Sequence, residues 1–335
     1  MKTMYDLIYG LPGELKDAWQ AAEAVALPRL PRPRQIVVGG MGGSGIGGDL
    51  LQGLLLTRSP LPVVTVKDYT LPRSVDRESL FFAISFSGNT EETIAGFQQA
   101  LRLKCPRIVI SGGGRLTELA REHRDPLIAV TAPAGCPPRA ALPYLFTPLL
   151  VTLCRFRLIP DLRPDLKEAI RVLTDLRNSY RAKARNLARE LKDKVPVIYS
   201  TSRLLDAVAN RWRCQFNENA KVFAHINSFP ELCHNEIVGM GNPRAFARLC
   251  YLLVLSDPDA HERNSLRYEL TLEILKKEYA EARVLQPDGR SDLARAFSFI
   301  MFGDLLSYYL AAERKVDPVP VKRIEELKKR LAAVK

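Results

Sequence analysis

Two short loops carry the residue types most able to do chemistry. The first is GGMGGSGIGGD, residues 39–49, where glycines leave backbone N–H groups unscreened by a Cβ just as a helix begins. Such a helix end attracts anions. Gly40, Gly42 and Gly45 fit the G-x-G-x-x-G spacing of a dinucleotide site, and Asp68 stands about where a ribose-binding acid would. No Lys-Ser/Thr pair follows the last glycine, which excludes a Walker-type phosphate loop. The second loop is SFSGNTEET, residues 85–93, which sets Ser85, Ser87 and Thr90 around another helix start. Hydroxyls and free N–H groups together make a phosphate cradle that needs no metal. An ordinary N-cap at Thr90 with a downstream acid would explain one hydroxyl but not three. A dinucleotide enzyme has no evident use for a second phosphate site of this form.

These loops need strands and helices to hold them. After a short helical N-terminal segment, a Pro- and Arg-rich stretch at 27–34 reads as a linker into a strand at 35–38. Apolar, β-branched runs at 63–66, 80–84, 107–110 and 127–130 alternate with Gly/Ser loops and helix-length segments, which predicts a parallel sheet with crossover helices. A helix over 141–156 closes this unit. The Pro-containing stretch 159–164 marks the boundary, and a long basic helix over 164–192 leads into a second cycle. There, strands at 195–200, 249–255 and 282–285 alternate with helices near 204–218, 261–279 and 292–313. The expected fold class is α/β, with two mostly parallel sheets flanked by helices in domains 1–158 and 159–335.

With 335 residues and 47% hydrophobic content, the chain can support two ordinary cores. No stretch approaches the roughly 18 apolar residues of a membrane span, and the N-terminus lacks a basic region followed by an apolar one, so a cytoplasmic protein without membrane partners is expected. Six scattered cysteines without C-x-x-C spacing suggest neither a zinc knuckle nor a disulfide framework. The net charge of +12 is spread along the chain without interleaved aromatics, which argues against nucleic acid and suits attraction of a small dianion.

The Ser-x-Ser-Gly-x-Thr pattern resembles the sugar isomerase domain. Taken with the Gly-Gly-Ser-Gly loop containing Gly43 and Ser44, PPRAALP at 137–143, FNENAK at 216–221, HNEIVG at 234–239 and IEELKKRL at 324–331, the chain closely resembles the bifunctional phosphoglucose/phosphomannose isomerases of archaea and some bacteria. The match runs in the same order over nearly the whole chain. It implies interconversion of glucose 6-phosphate, and mannose 6-phosphate, with fructose 6-phosphate through an enediol. Moving a carbonyl between C1 and C2 needs a base to shuttle the proton, a group to stabilise the enediolate and an acid/base to open the ring. By the resemblance these are Glu218, Arg139 and His234 in turn, with Lys328 assisting at the ring oxygen. Arg139 lies between prolines and alanines, an unusual place for a charge without a partner. His225 and His261 read as structural or surface groups.

The phosphate is expected at Ser44, Ser85, Ser87 and Thr90, beside the substrate loop at Gly43. No cofactor and no metal are implied, because these groups form no ligand cluster. The resemblance further implies a homodimer with its active site at the interface and His234 supplied by the neighbouring chain. In members acting on both epimers, a small hydroxyl residue is expected shortly before the C-terminal lysine; here Val321 stands there, preserving the space but not the hydrogen bond. A sugar-phosphate sensor would keep the serine loop without Glu218, Arg139 and His234, and a dehydrogenase would keep only the glycine loop.

Overall fold

The computed structural model of the chain describes residues 2–279 and 281–334. The first sheet holds β1 (Gln35–Gly39), β2 (Val63–Val66), β3 (Ser79–Ser85), β4 (Arg107–Ser111) and β5 (Leu127–Ala129), ordered β2-β1-β3-β4-β5. The second holds β6 (Val195–Ser200), β7 (His225–Ser228), β8 (Cys250–Leu255) and β9 (Glu281–Leu285), ordered β7-β6-β8-β9. All pairings are parallel. The buried runs QIVVG and SLFFAIS suit strands covered on both faces by helices. In both sheets the winding direction reverses between two central neighbours, β1 and β3 in the first, β6 and β8 in the second. A crevice forms at the carboxyl ends of strands where winding reverses, and ligands of α/β sheets bind there. The glycine loop leaves β1 and the serine loop leaves β3, so both open into the first crevice.

The second crevice has a different filling. Arg295, buried on the helix Asp292–Glu313, reaches Asp257 at 3.5 Å and Asp259 at 2.6 Å in the loop after β8. The Ser202 hydroxyl, after β6, donates to Asp257 at 2.7 Å. Carboxylates neutralised by the chain's own guanidinium occupy the level where the first sheet presents hydroxyls.

The largest apolar cluster runs from Met4 to Ala311 and includes side chains facing both sheets, with smaller clusters on the outer face of each. The long basic helix, Arg163–Glu190, buries Leu166, Ala169, Leu173, Tyr180, Ala184, Leu187 and Ala188, a stripe at three- and four-residue spacing. It packs against the almost wholly buried helix Asp292–Glu313. There Gly303 makes room for Trp212, because a Cβ would stand 2.1 Å from the indole nitrogen. Trp212 Nε1 donates to the Phe299 carbonyl at 2.9 Å and locks the helix Arg203–Gln215 to its neighbour.

Three strands and helices depart from the sequence expectation. The strand β7, sequence HINS, is short, polar and partly exposed on an edge, so it lacks the apolar run that marks its neighbours. The helix expected over 204–218 ends at Gln215 and continues as a wider π turn, Phe216–Ala220. The helix expected over 261–279 spans Glu262–Leu275. Among the described residues, no helix is long and apolar enough to cross a membrane.

Candidate active site

The π turn is the centre of the site. An i→i+5 turn is rare and costs hydrogen-bond quality, and it is often found where function needs a displaced side chain. Here it ends in Lys221, whose left-handed backbone (φ +55°) stops the helix. The wide turn lets two consecutive residues meet one guanidinium. Arg139 Nε donates to Asn219 Oδ1 at 2.6 Å, and Arg139 Nη1 lies 3.5 Å from Glu218 Oε2. Nη2 donates to the carbonyls of Pro318 and Val319 at 2.6 and 2.9 Å. The Arg139 side chain is buried and planar, and its fork geometry is matched on every edge. Burial lowers its pKa, an effect opposed by the Glu218 carboxylate.

A second layer fixes this arrangement. Asn219 Nδ2 donates to Ser307 Oγ at 2.9 Å, so its amide is oriented from both ends. Arg211 donates to the Arg139 carbonyl at 3.0 Å and to Asp304 Oδ1 at 3.1 Å, and Gln215 donates to the same oxygen at 2.8 Å. Asp304 is fully buried. Burial raises its pKa, while Arg211 and Gln215 pull it the other way. A lone acid in the apolar run FSFIMFGDLLSYY is the sequence signal for such a pair.

Glu218 lines a cavity of about 740 Å³ with Lys221, Phe223, Asp317, Val321 and Ile324. Arg139 stands behind Glu218, off the cavity wall. Lys221 Nζ donates to the carbonyls of Glu218 and Pro318; burial first and then Arg139 lower its pKa. Val321, half-buried, begins the helix Lys322–Ala333, which has no buried residue. Lys328 is exposed there, one turn beyond Ile324 and on the same face.

The phosphate-type loops adjoin the Arg139 turn. A Cβ on Gly43 would stand 2.7 Å from the Pro138 carbonyl and 3.3 Å from Arg139 Cα, so only glycine lets the loop lie there. The next residue, Ser44, accepts the Phe86 N–H at 3.2 Å and ties the glycine loop to the serine loop. Within the latter, Ser85 is fully buried, accepts the Gly88 N–H at 3.0 Å and shares a hydrogen bond with Thr90 at 3.0 Å. Thr90 makes no side-chain cap to its helix, so the plain N-cap explanation does not describe it. Ser87 is exposed and accepts the Asn89 N–H at 3.2 Å. Asp68 accepts the amide of its neighbour Tyr69.

The structure thus brings together Gly43, Ser44, Arg139, Glu218 and Val321, with Ser85, Ser87 and Thr90 in the adjoining loop. His234 and Lys328 are exposed, and neither lines the Glu218 cavity.

Known proteins share both the sheets and the sequence. Residues 30–134 match the SIS domain, and residues 181–331 match the bacterial phospho-glucose isomerase C-terminal SIS domain. A bifunctional phosphoglucose/phosphomannose isomerase of Caldicellulosiruptor bescii is 38% identical over 99% of this chain and 100% of its own. The chain belongs to the bifunctional phosphoglucose/phosphomannose isomerase family. A second member, from Aquifex aeolicus, is 36% identical over 99% of both chains. The fold is also that of the C-terminal domain of glucosamine-fructose-6-phosphate aminotransferase from Francisella tularensis, with TM-score 0.73 at 17% identity over 96% of this chain and 99% of the other.

Proposed function

We propose that the chain is an aldose–ketose isomerase acting on glucose 6-phosphate and mannose 6-phosphate, with fructose 6-phosphate as the shared ketose. The observation that carries this reading is Glu218 on the wall of a cavity, backed by a fully engaged Arg139 at 3.5 Å. Glu218 takes the proton from C2 of the aldose and returns it to C1. Negative charge developing on the enediolate is stabilised by the Arg139 field, which a buried and preorganised guanidinium supplies without reorganisation. The sugar phosphate binds at Ser87 and Thr90 with the free N–H groups of the loop, and Ser44 and Ser85 hold that loop in shape. His234 opens the ring and Lys328 assists at the ring oxygen.

The same reading makes the enzyme a cytoplasmic homodimer in which His234 comes from the neighbouring chain. It is supported by the exposure of His234 and Lys328. Apolar side chains left uncovered also support it: Phe223 at the cavity mouth, and Ile324, Leu327 and Leu331 at helical spacing on the C-terminal helix.

One set of assays tests this. A coupled assay should show conversion of fructose 6-phosphate to glucose 6-phosphate. Glu218→Gln should lower kcat at least ~10²-fold with the fold intact. Mixing Glu218→Gln with His234→Ala under subunit exchange should restore activity. Retained exchange of the C2 proton with solvent in Glu218→Gln would refute the role of Glu218, and inactive heterodimers would refute the shared site.

A further inference from the structure

The segment carrying His234 is held by a neighbour two residues away. Glu236 accepts the Tyr199 hydroxyl at 2.7 Å, both of its oxygens lie 3.0 Å from His225 Nε2, and Asn227 Nδ2 donates to it as well. Tyr199 belongs to β6, at the centre of the second sheet, and His225 and Asn227 to β7 at its edge. A single carboxylate thus joins two strands to the short helix Glu236–Gly239. Asn235 extends the brace: its Oδ1 accepts the Glu236 N–H at 2.6 Å, and its Nδ2 donates to Glu231 at 2.7 Å. Between these fixed points His234 is exposed, and its imidazole makes no hydrogen bond to the described residues. A side chain that must deliver a proton but has no partner of its own depends on its backbone for aim.

We propose that Glu236 is a positioning residue for His234, acting through the clamp formed with Tyr199, His225 and Asn227. This rests on the reading that His234 takes part in the reaction. The charge state fits the clamp. Burial pushes the Glu236 carboxyl up, but His225, Tyr199 and Asn227 more than offset it and hold the group below the usual carboxylate range. The bond to Glu236 raises His225 in turn, against burial. The clamp is therefore a carboxylate that favours imidazolium, and its donors converge from two strands.

The test is a double-mutant cycle on the full chain, with kcat and KM measured for fructose 6-phosphate in Glu236→Ala, His234→Ala and the double variant. Glu236→Ala should lower kcat roughly 10–100-fold, the usual cost of losing a residue that orients a functional group, and leave KM within about threefold. If Glu236 acts through His234, the double variant should be no slower than His234→Ala, whereas an independent structural defect would multiply the two losses. Tyr199→Phe, which removes one donor and keeps the ring, should give a smaller loss that also vanishes on the His234→Ala background; it carries the same test should Glu236→Ala not fold. In Glu236→Gln the His225 titration followed by NMR should move down. Multiplied losses, or wild-type turnover in Glu236→Ala beside an impaired His234→Ala, would overturn the positioning role and leave the isomerase reading intact. Wild-type turnover in His234→Ala would remove His234 from the reaction and the positioning role with it.

Discussion

Glu14 is a buried acid with no hydrogen-bond partner on either oxygen, and replacing it should stabilise the protein in a pH-dependent way. It is 3% exposed on the helix Leu11–Glu23, and the nearest cation, Lys2, is 3.9 Å away and half-exposed. Burial raises the Glu14 carboxyl from 4.5 to about 7, with Lys2 opposing the shift and Asp17 on the same helix adding to it. Cys136 and Tyr144 feel it from the opposite side; burial, and next the Glu14 charge, push the Cys136 thiol up to about 12. A carboxyl that is more basic in the folded state binds more protons there, so stability falls as pH rises from 4.5 to about 7 and is level above that. At about 1.4 kcal/mol per pH unit, the loss over that window is about 3 kcal/mol. For 335 residues the unfolding entropy is about 0.7 kcal/mol/K, so the loss corresponds to ~5 °C in Tm. Glu14→Gln keeps the shape and the unpaired polar atoms but cannot ionise. Calorimetry of both proteins at several pH values should show equal Tm near pH 4.5 and a gap of about 5 °C in favour of the variant at pH 8. A gap that does not change with pH, or one favouring wild type at pH 8, would refute the claim that Glu14 carries an uncompensated charge.

Two further predictions concern the cavity and the serine loop. Val321→Gln should narrow the space beside Glu218 and depress mannose 6-phosphate turnover more than glucose 6-phosphate turnover, whereas Val321→Thr, nearly isosteric, should leave the ratio close to wild type; steady-state rates on both epimers decide it. Gly88→Ala should disrupt the serine loop, because Gly88 has φ +71° and a Cβ would stand 1.6 Å from the Gly113 carbonyl; a loss of about 2–3 kcal/mol in stability and a raised KM are expected from denaturation and assay.

Eight of the nine strands among the described residues were legible from sequence, most of them because an apolar, β-branched run between turn residues is a continuous signal in strands buried on both faces; β9, EARVL, is exposed and was legible only from its place in the alternation. The strand β7 escaped because HINS on an edge has one neighbour and little apolar surface to bury. The two loops were legible because glycines and hydroxyls before a helix have a direct physical use. The π turn was not: Phe216–Ala220 reads as the continuation of a helix, and only the demand that Glu218 and Asn219 both meet Arg139 distinguishes it. Nor could the sequence show that Arg139, 179 residues away from Pro318, would grip that carbonyl, since the contact depends on how the helices from both halves pack.

The second crevice has a consequence for reading the chain as two related halves. The central strands correspond in order and direction, β1 to β6 and β3 to β8, yet the chemistry at their ends is inverted. Where one half presents the hydroxyls of Ser85, Ser87 and Thr90, the other has furnished a permanent resident, the Arg295 guanidinium seated on Asp257 and Asp259. An incoming phosphate would meet two carboxylates there, so the proposed sugar-phosphate site has no counterpart of the same chemistry in the second half. Tracing a ligand site from one half to the other by topology alone would therefore point to a lock that already holds its key.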